Sequence, residues 1–218
     1  MPNWCMTSMV IEGHKADVEK IRALLLDWTS REYHHSDFGK NWLGNIVLGA
    51  GFKTSDEDDE GLYCRGFIDS IGDVMESKNG MYSFLVEYES AWKPLPDMWK
   101  AIMQKHAPYC GVYWYAEEPG SEVFETNDLS KKHFDMDYVV DSYVEDRKNP
   151  LSSAFDGIEG FTKDGLKKCL ESLFGKGTLE GLIRKAENVP LAEDEWFSIH
   201  KIQYEVEIPK DFESLKCF

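Results

Sequence analysis

The stretch from Gly80 to Glu118 constrains this chain more than any other. Tyr82, Phe84, Val86 and Tyr88 fall on one side of an extended segment, with Ser83, Glu87 and Glu89 on the other. A period of two with one apolar side marks a half-buried strand. Pro94 and Pro96 end that strand and set a turn, and Asp97 places a negative charge in the first turn of the element that follows. Trp99, Ile102, Met103 and His106 then recur at helical spacing, and Pro108 stops the helix. Val112 to Ala116 is a second aromatic strand, closed by the turn dipeptide Pro119-Gly120. Strand, helix and strand in so short a span form one half of a split βαβ sandwich.

The other half is sought upstream. Trp4 to Glu12 is apolar on both sides, with Cys5, Met9 and Ile11 on one and Trp4, Met6 and Val10 on the other. A strand covered on both sides is central to its sheet. After Gly13, residues Val18, Ile21, Leu24, Leu25 and Trp28 form the stripe of an amphipathic helix reaching about Ser30. Residues 31–61 are read as an insertion, in which glycine-studded Trp42–Phe52 is a loop packed on the body. Leu62 to about Glu76 is a further strand region. Lys78-Asn79-Gly80 is a hairpin signal that pairs it with the strand at 81–89. The order β–α–β–β–α–β is the ferredoxin-like arrangement.

Downstream, Glu122–Thr126 and Phe134–Asp141 are expected to form an added hairpin at about 122–144. In the second segment Phe134, Met136, Tyr138 and Val140 alternate with Asp135, Asp137, Val139 and Asp141. Asp146 to Pro150 is the expected boundary. Beyond it, at 151–218, lies a helical extension. Thr162 caps a helix carrying Leu166, Leu170 and Leu173 and ending at Gly175, and Thr178 caps a shorter one to about Glu187. Alternation from Trp196 to Ile208 makes a final strand, expected to dock on the body. The fold class is therefore α+β: a ferredoxin-like sandwich at 1–150 with an insertion, extra strands and a helical C-terminal extension.

Three short pieces resemble a phage- and plasmid-borne family, the YubB-type, Api-like proteins. They are the opening Met1-Pro-Asn-Trp-Cys5 followed by a strand and Gly13, the turn Glu89-Ser-Ala-Trp-Lys-Pro-Leu-Pro96, and Tyr115-Ala-Glu-Glu-Pro-Gly120 with Phe124. They cover roughly residues 1–14 and 80–126. The chain departs from the family at Thr7, where an asparagine is usual. It departs again at Ser70-Ile-Gly-Asp-Val74, where the family has a Trp-Gly-x-Lys-Trp-like approach. No part beyond about 150 is similar. The resemblance implies a ferredoxin-like fold and a mobile-element origin, and no activity.

The functional classes are bounded by charge and motif. The 218 residues carry 24 basic and 40 acidic side chains, a net charge of −16. Such a surface keeps a protein soluble and repels nucleic-acid phosphates, so no direct nucleic-acid partner is expected. Apolar runs are too short to span a bilayer, and the first residues lack the basic-then-apolar pattern of a secretory signal. The five cysteines (Cys5, Cys64, Cys110, Cys169, Cys217) are scattered, without Cys-x-x-Cys. They read as reduced thiols of a cytoplasmic protein. There is no Gly-x-Gly-x-x-Gly, phosphate loop, His-Glu-x-x-His or Gly-x-Ser-x-Gly.

Four candidate chemistries remain, each beside a plainer reading. His34, His35 and Asp37 are candidate metal ligands, or a polar loop. Asp56, Glu57, Asp58, Asp59 and Glu60 form an acidic loop. With Asp135, Asp137 and Asp141 they are candidates for one acidic binding surface, or for two solvated segments. Gly80 to Val86 resembles the aromatic strand of an RNA-recognition fold, where rings stack on bases, but the basic residues are missing and buried core explains it better. Cys5 and Cys110 are nucleophiles only beside a base, and both sit in apolar strands. The expectation is a non-enzymatic accessory protein of a mobile element that binds another protein, with no cofactor. The alternatives are an acidic mimic of nucleic acid that inhibits a host nuclease or defence complex, and a metal-dependent enzyme.

Overall fold

A computed structural model describes residues 3–30, 38–55, 61–77 and 80–205. The fold is mixed α+β, and the chain divides into two compact units, Met1–Phe124 and Glu125–Phe218.

The first unit opens with β1 (Trp4–Gly13) and α1 (Lys15–Trp28). Helix α2 (Leu43–Gly49), the paired short strands β2 (Thr54–Ser55) and β3 (Leu62–Tyr63), β4 (Gly66–Ile71) and β5 (Met75–Glu76) follow. Then come β6 (Tyr82–Ala91), α3 (Pro96–His106), β7 (Gly111–Glu118), a 3-10 turn at Pro119–Ser121, and β8 (Val123–Thr126), where the chain leaves the unit. The sheet order is β7–β1–β6–β4, with β5 also on β6. β1 is central as expected, antiparallel to β6 from Trp4↔Ala91 to Gly13↔Tyr82 and to β7 from Met6↔Glu117 to Glu12↔Gly111. The hairpin expected before 81–89 is present as β5 on β6, Met75↔Ser83 and Glu76↔Tyr82.

One side of this sheet is the core. Cys5, Met9 and Ile11 of β1 and Phe84, Val86 and Tyr88 of β6 meet Val18, Ile21, Leu25 and Trp28 of α1. Met98, Trp99, Ile102 and Met103 of α3 complete it. The rings at 84 and 88 are thus core, as the acidic composition argued. Pro96 opens α3, and Asp97 occupies its first turn.

Trp42–Phe52 is not the expected loop. Leu43–Gly49 is a helix that buries Leu43, Ile46 and Val47 in the same core. Its glycines are spacers rather than breakers: a Cβ on Gly44 would stand 2.3 Å from the Trp42 ring, and one on Gly49 2.3 Å from the Trp28 ring. The described part of the expected insertion is therefore core-forming.

The second unit contains β9 (Tyr138–Tyr143), β10 (Gly157–Phe161), α4 (Lys163–Phe174), α5 (Leu179–Glu187), β11 (Trp196–Lys201) and β12 (Gln203–Tyr204). β9 is the middle of a sheet ordered β10–β9–β11, antiparallel to both neighbours. The expected 122–144 hairpin is therefore corrected, because β9 takes its partners from residues downstream. The expected boundary at 146–150 lies inside this unit, in the loop between β9 and β10. Leu151 and Phe155 just after it are buried with Val140, Leu166, Leu170, Leu182 and Phe197. Both cap expectations hold: the hydroxyls of Thr162 and Thr178 accept from Gly165 N–H (3.1 Å) and Gly181 N–H (3.2 Å). The final strand is two pieces. Ile202 N–H turns aside to donate to Asp137 O, and Gln203–Tyr204 pairs in parallel with Glu125–Thr126. Residues 206–208 lie outside the described ones.

Candidate functional site

The side of the first unit's sheet that faces away from its helices presents a mixed surface. Alternation along β1 sends Trp4, Met6, Ser8 and Val10 to it, and alternation along β6 sends Leu85, Glu87 and Glu89. Register lines these up in rows: Glu89 lies between Met6 and Phe67, and Glu87 between Ser8 and Ser70. The register of β4 shifts between Ile68 and Ser70. Such a bulge puts an extra residue on one strand and re-aims side chains. Here it brings Asp69 and Ser70 towards Glu87, whose Oε2 accepts from Ser70 Oγ at 2.8 Å.

Large apolar side chains stand open on and beside this surface: Trp4 is 37% exposed, Met6 43%, Leu85 37% and Trp92 48%. The Trp4 and Phe67 rings meet at 5.9 Å and 57°, a tilted contact of the kind rings favour. Trp92 holds a left-handed backbone conformation, φ 72°, which a residue with a Cβ adopts at a cost. It is held there by its N–H, which donates to Asn3 O at 2.9 Å, one residue from where Ala91 pairs with Trp4.

The electrostatics are one-sided. Burial, then Glu89, then Glu87, push the Asp69 carboxyl above its ordinary range. Among the described residues, no lysine, arginine or histidine forms an ion pair with Asp69, Glu87 or Glu89. A cleft of about 190 Å³ lies here, lined by Met6, Thr7, Ser8, Asp69, Glu87 and Tyr88. Pockets that enclose small ligands run to about 300–1,000 Å³, so this cleft is a dimple in a surface rather than a reaction chamber.

The sequence-derived candidates fare differently. His34, His35, Asp37 and the acidic loop Asp56, Glu57, Asp58, Asp59 and Glu60 lie outside the described residues. Among the described residues, no group of three or more histidine, cysteine, aspartate or glutamate side chains is placed to hold a metal ion. Asp135, Asp137 and Asp141 do not act as one free acidic face, because only Asp141 lies within β9. Asp137 accepts from Lys131 Nζ at 2.5 Å and from Lys163 N–H at 2.8 Å. Lys131 first and Lys163 with it outweigh burial and hold that carboxyl below its ordinary range. Asp141 accepts from Trp196 Nε1 at 3.0 Å. Both are framework contacts of the second unit.

The thiols are not poised for attack. Cys5 is fully buried in β1. Burial, then the charge of Asp17, push Cys110 up to about 11, so at neutral pH it is a thiol and not the nucleophilic thiolate. One pair was missed in the sequence: Ser198 Oγ lies 2.8 Å from His200 Nε2 on β11. A serine beside an imidazole is the start of a nucleophile–base arrangement, but these two are simply alternate residues on one strand face. The open sheet face was missed as well. Its signal was the outward set Trp4, Met6 and Val10, which read as the second buried side of a central strand.

Comparison with family models, curated proteins and solved structures finds no match for the chain. Among the described residues no helix is long and apolar enough to cross a membrane.

Proposed function

We propose that this chain is a non-enzymatic, cytoplasmic accessory protein of a mobile element, that it works by binding another protein, and that the open sheet face of the first unit is the binding surface. The observation that supports this is the exposure on one face of Trp4 and Met6 and, across the Ser8–Glu87 row, of Leu85, with carboxylates between them. Aromatic residues and methionine are enriched where proteins meet, and exposed apolar side chains rimmed by polar groups mark an interaction site. The ferredoxin-like assignment belongs to the same proposal. It is supported by the order β7–β1–β6–β4 with α1 and α3 as the crossing helices. Kinship with the YubB-type family is proposed with it, on the three matching sequence pieces. Mimicry of nucleic acid is the weaker reading, since Asp137 and Asp141 are engaged by Lys131, Lys163 and Trp196.

The test is affinity capture of the tagged protein from cells carrying its native element, beside a Met6→Thr/Leu85→Thr variant and a Tyr109→Thr control. Threonine keeps strand propensity while removing the apolar side chains. Tyr109 is exposed but lies off the sheet. The expected result is a partner retained by the original protein and the control through moderate salt, and lost by the double variant. A double variant that captures the same partner equally well removes this face from the reading.

A further inference from the structure

Three carboxylates from two strands converge on the open face without a cation among the described residues to balance them. Glu87 and Glu89 are alternate residues of β6, so their side chains share one side. Asp69 joins them across the β4 bulge; burial first, and then the like charges of Glu89 and Glu87, raise its carboxyl. The contact recorded for Glu87 is the neutral hydroxyl of Ser70. Next to this uncompensated charge lie the Trp4–Phe67 ring pair and the exposed Met6 and Leu85. An acidic partner or a nucleic acid would be repelled. A wholly apolar one would leave three carboxylates desolvated and unpaired, which is costly. The side chain that satisfies both halves is flat, always charged and weakly hydrated, pairs with carboxylates through a fork of N–H donors, and stacks on rings. That side chain is arginine.

We infer that the open sheet face of the first unit seats an arginine-bearing segment of another protein, its guanidinium groups held between the Asp69, Glu87 and Glu89 carboxylates and the Trp4 and Phe67 rings. The inference rests on the reading of this face as an interface and adds the chemistry of what it receives.

The experiment is a titration of the full-length, ¹⁵N-labelled protein with a short peptide alternating arginine and leucine. A glutamate–leucine peptide of equal length is the comparison. Amide shifts are expected at Met6, Ser8, Asp69, Leu85 and Glu87. Glu87→Gln/Glu89→Gln is expected to weaken binding about tenfold or more, the loss that follows from removing charge-assisted hydrogen bonds. Glu187→Gln/Glu193→Gln removes the same charge from exposed positions of the second unit. It is expected to change affinity by less than about twofold, because remote exposed charge is screened. Trp4→Ala is expected to weaken binding about threefold through the lost cation–ring contact. Equal weakening by the two charge-removing variants, shifts confined to other residues, or equal binding of the glutamate peptide overturns the inference. If the arginine peptide leaves the spectrum unmoved while Met6→Thr/Leu85→Thr still abolishes partner capture, the interface stands and the arginine-bearing partner is excluded.

Discussion

Asp69 is where the charge of the open face is felt most directly. Its carboxyl is raised by burial and then by Glu89 and Glu87, so the folded protein holds that proton more tightly than the unfolded chain does. A group raised in this way contributes stability at low pH that is lost as pH rises through its folded value. At neutral pH the ionised Asp69 therefore opposes folding, slightly, because it is exposed and screened. Asp69→Asn is expected to raise the urea midpoint at pH 7 by the equivalent of a few tenths of a kcal/mol. The gain is expected to shrink as pH falls below the ordinary aspartate range, where the Asp69 carboxyl of the original protein is protonated in the folded and the unfolded chain alike. A variant less stable than the original at pH 7 would mean that the carboxylate makes a favourable contact. Asp128 is the opposite case. Burial pushes it up, but the N–H groups of His133 and Phe134 and the Ser130 hydroxyl together outweigh that and hold it below its ordinary range. The Asp69 environment comes from a strand some twenty residues away in the chain, whereas that of Asp128 is built by residues two to six positions further on.

At the scale of elements, α1, α3, α4 and α5 are where local rules sufficed. Their apolar stripes, the Thr162 and Thr178 caps and Pro96 at the start of α3 are written within single turns of chain. Helix α2 is the exception, and Gly49 shows why. Glycine reads as a helix breaker because it loses conformational entropy on folding, yet here its lack of a side chain lets the helix lie on Trp28. Gly49→Ala would gain helix propensity of about 1 kcal/mol and at the same time place a methyl group 2.3 Å from the Trp28 ring. Steric strain in a close-packed core costs roughly 1–3 kcal/mol, so net destabilisation is expected. The readouts are the urea midpoint and the tryptophan emission. A more stable alanine variant would show that the ring moves aside freely. The strand that should have closed a hairpin at 122–144 illustrates another limit. Alternation announced a strand from 134 to 141, but it cannot name the partner, and β10 and β11 supplied two.

For the whole molecule the governing quantity is the net charge of −16. Self-repulsion of one sign of charge destabilises compact states. Salt shortens its range, from about 30 Å at 0.01 M to about 8 Å at 0.15 M. Raising ionic strength over that interval is expected to raise the urea midpoints of both units, each of which has its own core. Midpoints that fall with salt would show that favourable ion pairs outweigh the repulsion.

By itself the sequence determined the α+β composition, the central place of β1, the amphipathic helix α1, the three capped or proline-bounded helices α3, α4 and α5, and the acidity of the surface. These depend on periodicity, caps and totals, which act within one element or over the chain as a sum. Tertiary structure alone decided that β9 belongs with β10 and β11, that residues 43–49 coil into a helix against Trp28, and that the outward side of β1 stays open beside carboxylates from β4 and β6. Those outcomes hang on register and close approach between segments tens of residues apart, and no local pattern encodes which strand will lie beside which.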